Sequence, residues 1–445
     1  MKKLYIIALF LMTGIMAEAQ TSVWDGSRKL WTQGEGTESN PYRIESAENL
    51  AFLAYMVNKG FETENMYFIL TTDIDLNGSE DQSWVPIGLG DRYFNEDGCD
   101  RGKAHTSFSV NNSFRGHFNG GGHNIYNLYI DNGDVGGLFG IVDSEYEIKN
   151  VNVVSGYIHV ANYGGGIAGK CNFYVTISNC SNGADITGNQ VGGIVGYGAN
   201  KVSRCYNSGS IKGNSAAGGI AGIVCYEISE CYNIGEIWSY GHGGGIIGTS
   251  QKNITVMNCY NTGNIAGNSQ NNGGIAGKVM KGLVKNCYNV GDISNNQGAT
   301  YGVLNSDFNG TADNLYYLNT CGGGGIGEPK TSDEMQDASF VDVLNNDTDA
   351  WGYDVNNANN GYPILENSPL SAHETTAKTM SVYPNPSNGR LTVEGTGLLT
   401  VTNLLGQRIL EQVIKGQTAF SLPEGLYLLK LTDGDASTTR KVVVY

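Results

Sequence analysis

The chain has 445 residues, with 27 Lys+Arg against 43 Asp+Glu for a formal charge of −16, and it carries 64 glycines and 9 cysteines. Glycine is about twice its usual share and charged residues, at 16%, fall well short of the typical ~25%, so neither a disordered polyelectrolyte nor an ordinary α/β enzyme composition fits. An acidic surface lacks the positive field that nucleic-acid phosphates require, which sets nucleic-acid binding aside.

In chain order, Lys2 and Lys3 precede the apolar run Leu4 to Met16, which leads to Ala17-Glu18-Ala19. This is the pattern of an export signal over residues 1–19, and the run is too short to span a bilayer comfortably. Its removal leaves a charge of about −17. No later stretch approaches ~18 apolar residues, so the mature chain is expected to carry no transmembrane segment.

Between residues 20 and 135, Ser46 can cap a helix with the apolar stripe Leu50, Leu53, Ala54 and Val57. Short strand candidates follow at Tyr67 to Leu76, Trp84 to Gly88, Phe114 to Asn119 and Asn124 to Ile130. Asp73, Asp75, Asn77 and Gly78 match the first, third, fifth and sixth places of a calcium loop. The twelfth place is Trp84 rather than Glu, and the alternating Ile74 and Leu76 favour a strand, so no metal site is assigned. His117 and His123, with no Cys nearby, read as surface histidines.

Next comes an internal repeat. GGLFG begins at Gly136, GGIAG at Gly165, GGIVG at Gly192, GGIAG at Gly218, GGIIG at Gly244 and GGIAG at Gly273. The aliphatic positions Leu138, Ile167, Ile194, Ile220, Ile246 and Ile275 are 29, 27, 26, 26 and 29 residues apart. A second block runs CSNGADI from Cys180, CYNSGSI from Cys205, CYNIGEI from Cys231, CYNTGNI from Cys259 and CYNVGDI from Cys287, and Tyr301-Gly302-Val303 reads as a degenerate seventh copy. A unit of this length with three short β-type runs cannot bury an apolar face alone and must stack on copies of itself.

The expected fold is therefore all-β: a right-handed parallel β-helix whose coils lie about 4.8 Å apart, so that each repeated position becomes a column. Residues 20–135 supply the cap and first rungs, 136–305 the repeats and 306–365 the far end. Ile186, Ile211, Ile237, Ile265 and Ile293 should stack inside. Asn182, Asn207, Asn233, Asn261 and Asn289 should form an amide column, with the paired glycines supplying positive φ at corners and close approach between turns. The spacing of Val202 and Cys205 requires a bulge or corner if both point inward. Cys180, Cys205, Cys231, Cys259 and Cys287 are expected as a ladder of free thiols, because parallel side-chain vectors make a disulfide dihedral awkward.

The GG-aliphatic-x-G units followed by CYN-x-G-x-I resemble the GLUG repeats of bacterial surface proteins, which occur in adhesin-like proteins and beside the catalytic domains of some immunoglobulin-cleaving metalloproteases. The zinc chemistry of those neighbours needs H-E-x-x-H, and His373-Glu374-Thr375-Thr376-Ala377 lacks the second ligand. A carbohydrate-active β-helix enzyme, a polysaccharide lyase or glycoside hydrolase, is the alternative. Its candidate column is Asp185, Ser210, Glu236, Asn264 and Asp292, with carboxylates on alternate rungs about 9–10 Å apart. Such a column is more simply a solvated edge, so no catalytic residue and no cofactor is assigned. The column Tyr206, Tyr232, Tyr260 and Tyr288 is the candidate glycan-binding surface, or else a stack that stabilises the coils.

After Pro363 the composition changes. Residues 366–379 are Ser/Thr/Ala-rich and linker-like, and residues 380–445 hold seven short strand candidates separated by turn signals, the pattern of a small Ig-like sandwich. Tyr383-Pro384-Asn385-Pro386, Asn388-Gly389, Leu404-Leu405-Gly406-Gln407, Leu422-Pro423-Glu424-Gly425-Leu426-Tyr427 and the terminal Lys441-Val442-Val443-Val444 resemble the type A sorting domain of the type IX secretion system of Bacteroidetes. The resemblance implies passage across the outer membrane, partnership with the secretion machinery and its sortase-like processing enzyme, removal of the domain, and a secreted or cell-surface product. The function expected is that of an adhesin-like or structural binding protein with a host or environmental glycan or protein ligand.

Overall fold

A computed structural model describes residues 21–89, 94–95, 98–99, 112–143, 145–223, 225–366, 368, 380–383, 387–403, 408–433 and 436–445. The expected signal segment 1–19, nearly all of the linker with His373 and Glu374, and the motif residues Pro384, Asn385, Pro386 and Gly406 lie outside the described residues, as does the side chain of Cys99. Two compact units are present, Met1–Trp351 and Gly352–Tyr445.

The first unit is a parallel β-solenoid of about nine turns. A representative turn comprises Asp185–Gly192, Val195–Tyr197, Lys201–Ser203 and Tyr206–Asn207, four strand segments rather than the three expected, whereas in later coils the last three run together as Ile247–Asn261 and Ala276–Asn289. The extra division comes from a left-handed residue immediately before each column cysteine: Asn179, Arg204, Glu230, Asn258 and Asn286 all have φ of 50 to 53°. That corner turns both Val202 and Cys205 inward, as their spacing requires.

The columns form in register. Ile130, Ile158, Ile186, Ile211, Ile237, Ile265 and Ile293 pair one above the next and are buried. Phe68, Phe118, Ile148, Ile177, Val202, Ile228, Val256 and Val284 make a second apolar column on another face. Burial of each such side chain contributes roughly 1.5–3 kcal/mol. Ile275 N–H donates to Val303 O at 3.1 Å, which places Val303 as the next member of the aliphatic series despite the missing glycine.

Asparagine forms a buried spine. The Nδ2 groups of Asn182, Asn207, Asn233 and Asn261 donate to the Oδ1 of the next asparagine at 2.8, 2.8, 2.7 and 2.7 Å. Each also donates to a carbonyl two residues on in its own chain. The paired glycines serve this spine by leaving space, which corrects the expectation that they supply positive φ. A Cβ on Gly166, Gly193, Gly219, Gly245 or Gly274 would overlap Asn182, Asn207, Asn233, Asn261 or Asn289 respectively.

The cysteine column is a ladder of thiols. All five are buried and free, as are Cys171, Cys225 and Cys321. Each Sγ lies 3.1 to 3.2 Å from the carbonyl two residues earlier, as in Cys205 and Ser203. Burial pushes the Cys180, Cys231 and Cys287 thiols up and raises that of Cys225 to about 12. At Cys205 and Cys259 burial acts the same way, but hydrogen bonds from the neighbouring thiols outweigh it and hold them down, so it is enclosure that keeps reagents from the column.

Upstream, α1 (Ala47–Asn58) is capped by Ser46, whose Oγ accepts from Asn49 N–H at 3.3 Å. It buries Leu50, Leu53, Ala54 and Val57 beside Tyr42–Ile44, the first strand of a run that continues through Tyr67–Leu70 and His117–Asn119 into the repeats. Of the expected strand Trp84 to Gly88, only an isolated bridge from Ile87 to Phe139 forms. At the far end, Thr311–Leu318 pairs with the last long repeat strand and then with Glu328–Lys330, an edge strand containing Pro329. The short helices α2 (Ser332–Gln336) and α3 (Ala338–Leu344) follow.

The second unit contains a five-stranded antiparallel sheet consistent with an Ig-like domain. The seven expected strands merge into five, because Arg390–Asn403 and Arg408–Ser421 run continuously, with positive φ at Gly397 and Gly416. Leu391, Val393, Leu399, Val401, Leu429, Leu431 and Val442 make its core.

Two outcomes check this account. Asn233→Ala strands the Asn207 donor and the Asn261 acceptor in the interior, so it should cost about 2–5 kcal/mol in denaturant unfolding, and Gly219→Ala should also destabilise. Alkylation at pH 8 should modify none of the column thiols before unfolding and all of them afterwards; rapid labelling of the native protein would refute the sealed ladder.

Candidate functional site

The corner at each double glycine sets two side chains beside each other, partly exposed at most turns but buried at Ala216 and Thr249. The chain enters with Tyr163, Gln190, Ala216, His242 or Asn271 and leaves with Lys170, Tyr197, Ile223, Thr249 or Lys278. Each series is in parallel register from turn to turn. Gly169 and Gly196 let the two arms approach, since a Cβ on Gly196 would meet Gly164 N at 2.8 Å.

At two adjacent turns this produces a square of Tyr163, Lys170, Gln190 and Tyr197. The Tyr163 and Tyr197 ring centroids are 5.1 Å apart and tilted by 57°. Lys170 Nζ lies 5.9 and 5.8 Å from them, within cation–π range. Phe173 extends the patch, 6.0 Å from Tyr197 and 5.3 Å from Tyr226, and Tyr174 beside it is 63% exposed. Burial raises the Tyr163 hydroxyl and lowers the Lys170 ammonium from their ordinary values. Gln190 Oε1 is shielded from solvent and has no hydrogen-bond partner among the described residues. Sequence reasoning missed this corner. The readable signal was Tyr163 and Tyr197 flanking successive double-glycine units, which only the register brings together.

Further along the same two series, His242 Nδ1 is 3.3 Å from Asn271 Nδ2, whose Oδ1 accepts from Tyr301 OH at 3.1 Å. Burial, then the charge of Lys278, pushes the His242 imidazole below its usual value.

The expected tyrosine ladder exists as a stack. Tyr206, Tyr232, Tyr260 and Tyr288 lie 5.0, 4.9 and 5.1 Å apart with ring planes within 6° of parallel. Its expected outward exposure is corrected: Tyr232 is 3% exposed, Tyr260 and Tyr288 not at all, and only Tyr206 keeps a partly open ring. Phe340 of α3 stands edge-on to Tyr288 and Tyr316, and Trp351 packs on Tyr260 and Tyr288. This strap is pinned by Lys285 Nζ to Asp347 at 2.6 Å and Asn314 Nδ2 to Val343 O at 2.8 Å. Its capping box, Thr331 with Glu334, was legible as Thr-x-x-Glu.

Asp185, Glu236 and Asp292 are exposed at the solenoid edge, where Asp185 Oδ1 accepts from Ser210 N–H at 3.0 Å. Asp73 Oδ1 lies 2.9 Å from His123 Nδ1, and Asp75 Oδ1 accepts from Asn77 N–H at 2.7 Å and Asn127 Nδ2 at 2.9 Å. His117 stacks on Tyr67 at 4.2 Å. Among the described residues no group of three His, Cys, Asp or Glu is arranged to hold a metal ion.

In the second unit, Gly389 has φ +104° and Gly425 opens a strand on which Tyr427 is buried, its OH donating to Pro423 O at 3.1 Å. Tyr383 is exposed and its hydroxyl meets Gln417 Nε2 at 2.5 Å.

Together these features define an exported β-solenoid joined to a sorting module. Residues 381–445 match the family described as "Secretion system C-terminal sorting domain". This tail marks the chain for type IX export to the outer-membrane surface or the medium and implies interaction with that machinery. Among the described residues no helix is long and apolar enough to cross a membrane. The chain is similar to a "Putative Gly-rich membrane protein" of Evansella cellulosilytica, 30% identical over 164 residues that cover 35% of this chain and 15% of the relative. It is also similar to "Halomucin" of Haloquadratum walsbyi, 32% identical over 166 residues covering 37% of this chain and 2% of that protein. The chain thus spans only a small part of the length of the curated relatives it matches. A crystal structure described as "a putative immunoglobulin A1 protease from Bacteroides ovatus" aligns with TM-score 0.47 and 22% identity over 75% of this chain and 95% of that one; no activity is carried across.

His242 makes the corner region pH-sensitive. The folded state holds its pKa below 6.5, so the unfolded chain binds more protons at mildly acidic pH. The stability from the neutral ring is therefore complete above about pH 6.5 and is lost as pH falls below it. The melting temperature of His242→Gln should drop less than that of the parent between pH 7.5 and 5.5; identical profiles would refute the assignment.

Proposed function

We propose that the protein is an adhesin-like binding protein, delivered to the cell surface or released, whose solenoid holds a ligand-presenting surface. In this reading residues 1–19 are the signal peptide, 20–135 the cap and first rungs, 136–305 GLUG-type repeats and 306–365 the far end of the solenoid. The linker is 366–379 and the sorting domain 380–445. The partners are the type IX machinery and its sortase-like enzyme during export, and a glycan or protein ligand afterwards.

One observation carries the reading: the solenoid supports partly exposed aromatic and polar side chains in fixed register, on a chain whose tail directs it outside the cell. A rigid array of this kind suits repeated contact with an extended ligand. The alternative of a carbohydrate-active enzyme gains nothing from the Asp185 to Asp292 column, whose carboxylates are solvated.

The test is made in cells producing either the full chain or a chain ending at residue 379. The full chain should be found at the surface or in the medium and should raise attachment to a mucin-coated surface, whereas the shortened chain should stay inside and confer no attachment. Efficient display without any gain in attachment would overturn the adhesin reading.

A further inference from the structure

We propose that the corner square Tyr163, Lys170, Gln190 and Tyr197, with Phe173 and Tyr226 at its margin, is a carbohydrate site for an oligosaccharide bearing carboxylated sugars. The inference rests on the adhesin reading and gives it a place and a ligand class. It moves the expected glycan surface away from the tyrosine ladder, where Phe340 and Trp351 occupy the rings a sugar would need.

A sugar ring presents apolar C–H faces and a rim of hydroxyls, so its site needs rings to pack on and a few oriented polar atoms. The square supplies both. Tyr163 and Tyr197 are tilted by 57° and half-exposed, which makes a trough rather than a closed stack, and Phe173 and Tyr226 prolong it along the solenoid. Gln190, paired in register with Tyr163, lies half-buried between the two coils with its Oε1 shielded from solvent, so a sugar on this face meets the rings and the lysine rather than that oxygen.

Charge selects within the class. Lys170 sits in register with Tyr197 and places its ammonium within 6 Å of both tyrosine rings on a chain that is acidic overall. A carboxylate on the ligand would receive a charge-assisted hydrogen bond there, while the surrounding negative surface disfavours anions elsewhere. Peptides with acidic side chains share the charge but not the apolar C–H faces that pack on the tilted rings.

The exported protein, recovered from the medium or released from the surface, is applied to an array of sialylated and uronic-acid oligosaccharides printed beside their neutral counterparts, and hits are titrated in solution. Binding should favour the carboxylated members. Lys170→Met should weaken them about tenfold and change neutral counterparts by less than about twofold. Tyr197→Ala should weaken both, and Glu236→Gln neither. Circular dichroism and melting curves verify that each variant folds, and Tyr163→Ala gives a second reading of the same site. A blank array, equal binding of acidic and neutral members, or binding indifferent to Lys170→Met and Tyr163→Ala would each overturn the inference. Displaying cells that attach to mucin despite such a result would leave the adhesin reading standing, so the two failures are told apart.

Discussion

The structure depends on keeping one asparagine directly above the next. Each amide in the spine donates twice, to its own chain and to the following coil. A coil shifted by one residue would break those bonds and turn its apolar set outward. The glycine opposite each amide is part of the same constraint, because the space it leaves is the space the amide fills. Hydrophobic columns would tolerate several registers of similar residues; a buried polar chain tolerates one.

From that constraint follows the sorting of the outer surface. Rings on the Tyr206 to Tyr288 face stack nearly parallel, and Phe340 and Trp351 of the strap pack over Tyr260 and Tyr288. At the glycine corners the backbone arms are pinched together, leaving flanking side chains no room to retreat. Polarity, size and charge vary there from turn to turn while position does not, which is where recognition can differ along an otherwise uniform array.

Much of the scaffold was legible in the sequence because a repeat states its own geometry. Isoleucine, cysteine and asparagine columns, the capped helix at Ser46 and the turn between Val202 and Cys205 all follow from spacing and residue type. The glycines were half read: their close approach between turns is found, their expected positive φ is not, since sequence does not separate a need for positive φ from a need for space. The tyrosines illustrate the other limit: their stacking follows from period, but their burial depends on Phe340 and Trp351, which lie outside the repeats. The Tyr163 corner was illegible for a related reason. Tyr163 and Lys170 occupy places filled in other turns by Gln190 and Tyr197 or Ala216 and Ile223, so no recurring letter marks them.

The two ends of the solenoid are closed by different means. Identical coils have no intrinsic length, and an uncovered terminal strand on one molecule is a template for the first strand of another. Here α1 packs beside the first strand, and the last, Glu328–Lys330, carries a proline that cannot donate and a lysine folded 4.9 Å over Tyr316. The consequence is a stack blunted at both ends, which disfavours strand-to-strand joining of one solenoid to the next.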